Sequence, residues 1–281
     1  MARLKFLLAF LAFMICLGGI SVAYFYWKKF AEPEWAVSRQ MDGRDPRQAK
    51  PDLGKRHFDQ AIDLLKEGEL VAARDRFHYV MTYFPESATV GEARRIVGEI
   101  NLDLLLSKIP QPGKGEHVVR RGEALVTIAR RHETTIDYIM RTNAKTTSVI
   151  FPDEVLVVYP LNFRVEIDLK TERLTVFDEE SYFKEYRIVD VHLPADLRPP
   201  ISTTISEKVA WHENRPLNFT DDHYFDCAKW LRSGRMGLFI REDESGRSSG
   251  EARSFGVMVS KADMEELFTI LRTGAPLALV N

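Results

Sequence analysis

Between His117 and Val158 the hydrophobic period of the chain shifts from two to between three and four and back again, which leaves few folds open. His117-Val118-Val119 reads as a short strand that ends at Arg120-Arg121-Gly122-Glu123. Ala124 and Leu125, then Ile128 and Ala129, recur at helical spacing and open a helix. Thr134-Thr135 supplies a cap, Thr134 by preference, for a second helix carrying Ile136, Ile139 and Met140. Asn143 ends that helix, and Ile150-Phe151-Pro152-Asp153 leads into the strand Val155–Val158. The order is βααβ over residues 116–160.

This unit resembles the LysM family. The family pattern V-x-x-G-[DE]-[ST]-L-x-x-I-A falls on Val119, Gly122, Glu123, Ala124, Leu125, Ile128 and Ala129. Its second part, T-x-x-x-[LI]-x-x-x-N, falls on Thr135, Ile139 and Asn143, and its third on Ile150, Asp153, Leu156 and Val158, with Pro160 one residue late. The resemblance implies binding of N-acetylglucosamine-containing chains, peptidoglycan or chitin, in a shallow groove between two loops. Gly122, Glu123, Ala124 and Leu125 would supply the first loop, and Ile150, Phe151, Pro152 and Asp153 the second. Acetamido groups call for backbone donors and acceptors and small apolar contacts, with little need of charge. Leu125 and Ile128 also read as core. Ala124 stands where the family has Ser or Thr, and Asp153 where it has Gly; both departures predict weaker binding. A single module of this kind binds weakly, so a tether adds avidity.

Upstream, Arg3 and Lys5 precede an apolar run from Phe6 to Trp27 that Lys28 and Lys29 close. About 20 apolar residues suffice to cross a bilayer, and Tyr24, Tyr26 and Trp27 suit its interfacial belt. Ser21-Val22-Ala23 offers a signal-peptidase site, the competing reading, but the run stays apolar beyond it. Residues 1–30 are therefore expected to be an uncleaved signal-anchor. Phe13-Met14-Ile15 before Cys16 is not a lipoprotein box. Because a wall-binding module must lie outside the cytoplasm, the expected location is the bacterial inner membrane, single-pass, with the bulk of the chain in the periplasm.

Residues 31–55, rich in Pro, Arg and Asp, read as a tether. From Phe58 the period is helical: Phe58, Ala61, Ile62 and Leu65, then Leu70, Ala73, Phe77 and Val80, with Pro85 as a stop. Ser87 is the expected cap of a third helix with Ala93, Ile96, Ile100 and Leu104 on one face. Ala61, Leu64, Gly68, Ala72, Phe77, Tyr83 and Pro85 resemble one tetratricopeptide repeat, so residues 56–108 form a repeat-like helical segment. One repeat cannot bury its own face, so it must pack on a neighbouring domain, another copy or a protein partner.

After a breaker-rich joint at 109–115, strands dominate residues 163–281. Phe163–Leu169, Leu174–Phe177 and Tyr182–Val189 alternate as strands, and Lys261–Leu271 reads as a helix. The start, with Val165, Ile167, Asp168, Leu169, Leu174, Val176 and Phe177, resembles the opening hairpin of L,D-transpeptidase catalytic domains. The end, from Ser260 and Asp263 through Phe268 to Gly274 and Pro276, resembles their close. Those enzymes use a cysteine in S-H-G-C-[IV]-R, served by a histidine in G-x-H-G, because a thiolate paired with histidine attacks an amide carbonyl. Here one register gives Phe255 for His, Val257 for Cys and Val259 for Arg, while the other puts Gly256 at the Cys position. The upstream motif has Phe239 where the histidine should stand. Two independent losses predict a degenerate domain without catalysis.

The alternatives are a wall enzyme using a displaced Cys227–His223 pair, which helical spacing would bring to one face, and an envelope adaptor binding a protein through the repeat-like helices. His212 and Glu213 are a weaker pair. The whole is a multidomain α+β chain: N-terminal transmembrane helix, repeat-like helices, βααβ module and mainly-β C-terminal domain. Its formal charge of −2 provides no drive toward nucleic acid. Scattered histidines and two cysteines, Cys16 and Cys227, predict no metal, no cofactor and no disulfide framework.

Overall fold

The computed structural model describes residues 52–213, 215–243 and 255–280. The apolar run at 6–27 and nearly all of the expected tether lie outside the described residues, among which no helix is long and apolar enough to cross a membrane.

Helices α1 (Leu53–Lys66), α2 (Leu70–Tyr83) and α3 (Val90–Leu106) come first. Helix α1 begins inside the segment read as tether, because the Asp52 carboxylate accepts from Lys55 N and starts the helix there. The same carboxylate accepts from Ser87 Oγ at 2.8 Å and Ala88 N at 3.1 Å, stapling the start of α1 to the α2–α3 turn. Ser87 is thus occupied with Asp52, and the N-cap of α3 is Thr89, two residues later than expected. Ala61, Ala73, Phe77, Val80, Ala93 and Val97 make a small helical core.

Strands β1 (Gly115–Val118) and β2 (Val155–Val158) pair antiparallel and bracket helices α4 (Leu125–Arg131) and α5 (Ile136–Thr142). The cap of α5 is Thr135, not Thr134: its hydroxyl accepts from Tyr138 N at 3.0 Å and donates to the Thr269 carbonyl at 2.5 Å. Asn143 closes α5 by donating to Ile139 O and Val157 O while accepting from Val157 N, which fixes the helix end to β2.

The remainder is a curled sheet with one helix. Strands β3 (Phe163–Asp168), β4 (Arg173–Asp178), β5 (Ser181–Arg187), β6 (Asp190–His192), β7 (Ile201–His212) and β8 (Arg215–Leu217) are followed by β9 (Ala228–Ser233), β10 (Phe239–Glu242) and β11 (Gly256–Val259). Helix α6 (Lys261–Ile270) and strand β12 (Pro276–Val280) finish the chain. The strand order among described residues is β5-β4-β3-β12-β7-β9-β10-β11-β6, with β8 paired to β7. Strand β12 lies parallel to β3 and antiparallel to β7, so the end of the chain closes the middle of the sheet.

The three parts share one interior. A single apolar cluster runs from Leu102 and Leu105 of α3 through Leu125, Ile128, Tyr138 and Leu156 of the βααβ unit to Val165, Leu267 and Leu279 of the C-terminal part. Tyr138 donates from its buried hydroxyl to Leu105 O at 3.2 Å. Helix α3 lies so close on β5 that a Cβ at Gly98 would sit 2.9 Å from Lys184 Cγ, and Asn101 donates to Phe183 O at 2.8 Å. Helix α3 of the helical segment thus packs on the C-terminal part of the same chain.

Candidate glycan-binding site

The two loops expected to face a sugar are joined through the backbone. Asp153 N donates to Val119 O at 2.8 Å, and Val119 N donates to Glu154 O at 2.9 Å. These bonds hold the turn at Gly122 beside the segment 150–153. Gly122 has φ +82, with open space where a Cβ would stand, so glycine is required there by backbone conformation alone. Asp153 has φ 66. It occupies the left-handed conformation its family counterpart glycine would favour, and Asp is one of the few residues that enter this region readily.

The candidate residues divide by exposure. Gly122, Ala124, Phe151, Pro152 and Asp153 are exposed, and Phe151 keeps 65% of its surface. Ile150 is half-buried against the shared core, and Leu125 is buried within it, so the Leu125 side chain faces away from any sugar. Glu123 is turned inward. Its carboxylate accepts from Arg120 N at 2.9 Å, from Arg131 Nη1 at 2.6 Å and from His117 Nε2 at 2.8 Å. His117 Nδ1 in turn lies 3.0 Å from His132 Nε2. With Nε2–H of His117 donated to Glu123, Nδ1 is left as acceptor for the His132 N–H, one consistent run of protons. The Arg120 amide, His117 and Arg131 hold the Glu123 carboxyl down at about 2. Burial, then His117 and Arg131, lower the His132 pKa. Sequence reasoning missed this network because His132 and Arg131 lie on the far end of α4 and only the turn at 120–123 brings them to Glu123.

Residues 117–158 are a LysM domain. Solved L,D-transpeptidases are among the structures this chain is similar to. One from Enterococcus faecium shares 16% identity over 45% of this chain and 55% of its own length, with a TM-score of 0.30. L,D-transpeptidase 1 of Mycobacterium tuberculosis shares 11% over 46% of this chain and 68% of its own, TM-score 0.30. An L,D-transpeptidase from Mycobacterium smegmatis shares 11% over 60% and 92%, TM-score 0.31. The chain spans little more than half the length of the first of these. No curated protein matches it.

Beyond the LysM domain, the positions read as lost catalytic residues gather at β10 and β11, which pair in parallel. Val257 and Val259 are fully buried. Gly256 has φ +146, and a Cβ there would stand 3.1 Å from Phe239 O and from Arg241 Cδ. Phe239 is half-buried, and Phe255 lies against the His192 ring at 4.8 Å. Neither register offers a side chain that reaches solvent from the cysteine position.

Cys227 and His223 are not on one helix face, since residues 218–227 form a series of turns. Cys227 is 1% exposed and donates its thiol to Tyr224 O at 3.1 Å; burial raises its pKa. His223 is exposed and stacks on His212, ring centroids 4.6 Å apart. His212 Nε2 lies 3.8 Å from Glu213, a surface pair. Among the described residues no group of His, Cys, Asp and Glu is arranged to hold a metal.

Proposed function

We propose that this chain is a membrane-anchored peptidoglycan-binding protein of the bacterial envelope whose C-terminal domain is L,D-transpeptidase-like and does not catalyse. The LysM domain carries the wall-binding half of this reading, since domains of that family bind N-acetylglucosamine-containing glycans. What supports a sugar site on this copy is the exposed edge formed by Gly122, Ala124, Phe151 and Pro152, held together by the Asp153–Val119 and Val119–Glu154 backbone bonds. It offers an exposed aromatic face at Phe151, a surface on which a sugar ring can pack. The anchor rests on the apolar run Phe6–Trp27 and its basic flanks, and the periplasmic location follows from the ligand. The absence of catalysis rests on Phe239, Phe255, Gly256, Val257 and Val259, and on a Cys227 thiol committed to a backbone carbonyl.

Co-sedimentation with purified sacculi tests the first part. Excising residues 116–160 would tear out part of the shared core, so the comparison is residues 31–281 against the same piece carrying Phe151→Ala and Ala124→Trp. Pelleting of the parent and loss of pelleting in the variant is the expected result. Equal pelleting would move wall binding to another surface. Incubation with muropeptides tests the second part: a transpeptidation product abolished by Cys227→Ala would replace this reading with that of an enzyme.

A further inference from the structure

The two sugar-facing turns are built alike. In each, four residues are closed by a bond from the last amide to the first carbonyl: Glu123 N donates to Arg120 O at 3.1 Å, and Glu154 N to Phe151 O at 3.2 Å. In each, the third residue is left-handed, Gly122 at φ +82 and Asp153 at φ 66, and the second is not, the mark of a type II turn. In each, the closing glutamate folds its carboxylate back over the turn. Glu123 Oε2 accepts from Arg120 N at 2.9 Å, and Glu154 Oε2 accepts from Phe151 N at 3.1 Å. A cation from outside the turn takes the other oxygen: Arg131 Nη1 lies 2.6 Å from Glu123 Oε1, and Lys145 Nζ 2.5 Å from Glu154 Oε1.

The second of these turns carries the exposed ring. Phe151 opens it and keeps 65% of its surface, so the turn, more than packing, decides where the ring stands. Pro152 fixes the backbone at the second position, but Asp153 holds the third without the freedom of glycine. The bond from Phe151 N to Glu154 steadies the turn against that strain. Lys145, with the Phe151 amide adding to it, lowers the Glu154 pKa against the effect of burial, so the acceptor is charged at neutral pH. Lys145 lies just beyond Asn143, whose side chain binds β2, so the clamp ties the turn to the body of the domain.

We propose that Glu154, backed by Lys145, is a positioning residue for glycan binding: it holds the Phe151 turn in the shape in which the ring packs on a sugar. Glu123 and Arg131 do the same for the facing turn at Gly122. A turn already in its bound shape spares the complex the cost of ordering it. The inference rests on the reading of this edge as a sugar site and adds to it two residues, Glu154 and Lys145, that touch no sugar themselves.

Sedimentation of the full-length chain, in detergent micelles, over a range of purified sacculus concentrations tests it. Glu154→Ala should raise the half-saturating concentration about tenfold, whereas Glu154→Gln, whose carboxamide oxygen still accepts from Phe151 N, should raise it about threefold or less. Lys145→Met should fall between them. In a Phe151→Ala background, itself about tenfold weaker, Glu154→Ala should change nothing further, because the clamp acts through the ring. A purely structural role would lower the melting temperature alike in both backgrounds and leave half-saturation of the folded chain alone. Unchanged half-saturation in Glu154→Ala, or equal losses with and without Phe151, would overturn the inference and leave the sugar site in place. No pelleting of the parent, or indifference to Phe151→Ala, would instead overturn the sugar reading itself, and this inference with it.

Discussion

Nε2 of His117 and Oε2 of Glu123 lie 2.8 Å apart, in a LysM domain where both side chains are about nine-tenths buried. The contact turns a residue expected to face a sugar into the anchor of its own loop. It also ties the loop to pH. Glu123 titrates at about 2 in place of the ordinary 4.5, so its contribution to stability is complete above 4.5 and drains away as pH falls toward 2. The His132 pKa lies below the ordinary 6.5, so the folded chain favours neutral imidazole and loses stability as pH falls below 6.5. Melting temperature measured from pH 8 to pH 2 should decline in both windows. Glu123→Gln should flatten the lower decline and His132→Gln the upper. Parallel curves for parent and variants would exclude the network as the source.

Asp153 holds a left-handed backbone at φ 66 without being glycine. Asp153→Gly should stabilise the domain slightly, and Asp153→Val should destabilise it by about 1–2 kcal/mol. Urea denaturation measures both. If strain at this turn also weakens sugar binding, Asp153→Gly together with Ala124→Ser will raise the fraction pelleting with sacculi.

Glu265 on α6 sits 2.8 Å from Lys229 on β9, a lysine only 2% exposed, and 3.0 Å from Arg141 on α5. Removing the acid alone strands a buried ammonium. Glu265→Leu should cost about 3–5 kcal/mol, and adding Lys229→Met should recover most of it. A double variant no more stable than the single one would mean that the pair is not coupled.

The Cys227 thiol is closed off by Tyr224 and by burial. In a Cys16→Ser background it should resist maleimide labelling in the native chain and react at once in denaturant. Rapid native labelling would return Cys227 to the candidates for a nucleophile.

On the proposed non-catalytic reading of β11, placing a cysteine there should not create chemistry. Gly256→Cys should destabilise by about 1–3 kcal/mol, because φ +146 and the nearby Phe239 carbonyl both oppose a side chain. Val257→Cys should fold but present no reactive thiol, since that position is fully buried. Transpeptidase activity in either variant would mean that the strand moves to expose the site.

What the sequence determined is what depends on near neighbours. The βααβ order of the LysM domain and the faces of α1 to α3 follow from hydrophobic period, a property of residues three or four apart. So does the strand alternation at Phe163–Asp168, where buried and half-buried residues alternate. Gly122 was legible as the end of the first strand and a match to the LysM pattern; its left-handed φ of +82 came from the structure. Where two neighbours satisfied one local rule, the tertiary structure chose: Thr135 caps α5 and its hydroxyl also reaches the Thr269 carbonyl, far along the chain, while the Thr134 hydroxyl is buried without a partner. The inward turn of Glu123, the Lys229–Glu265 pair, the Asp137–Lys208 pair and the core shared by all three parts were beyond sequence reading. Each joins groups whose separation along the chain carries no periodic signal, and only the folded geometry makes them neighbours.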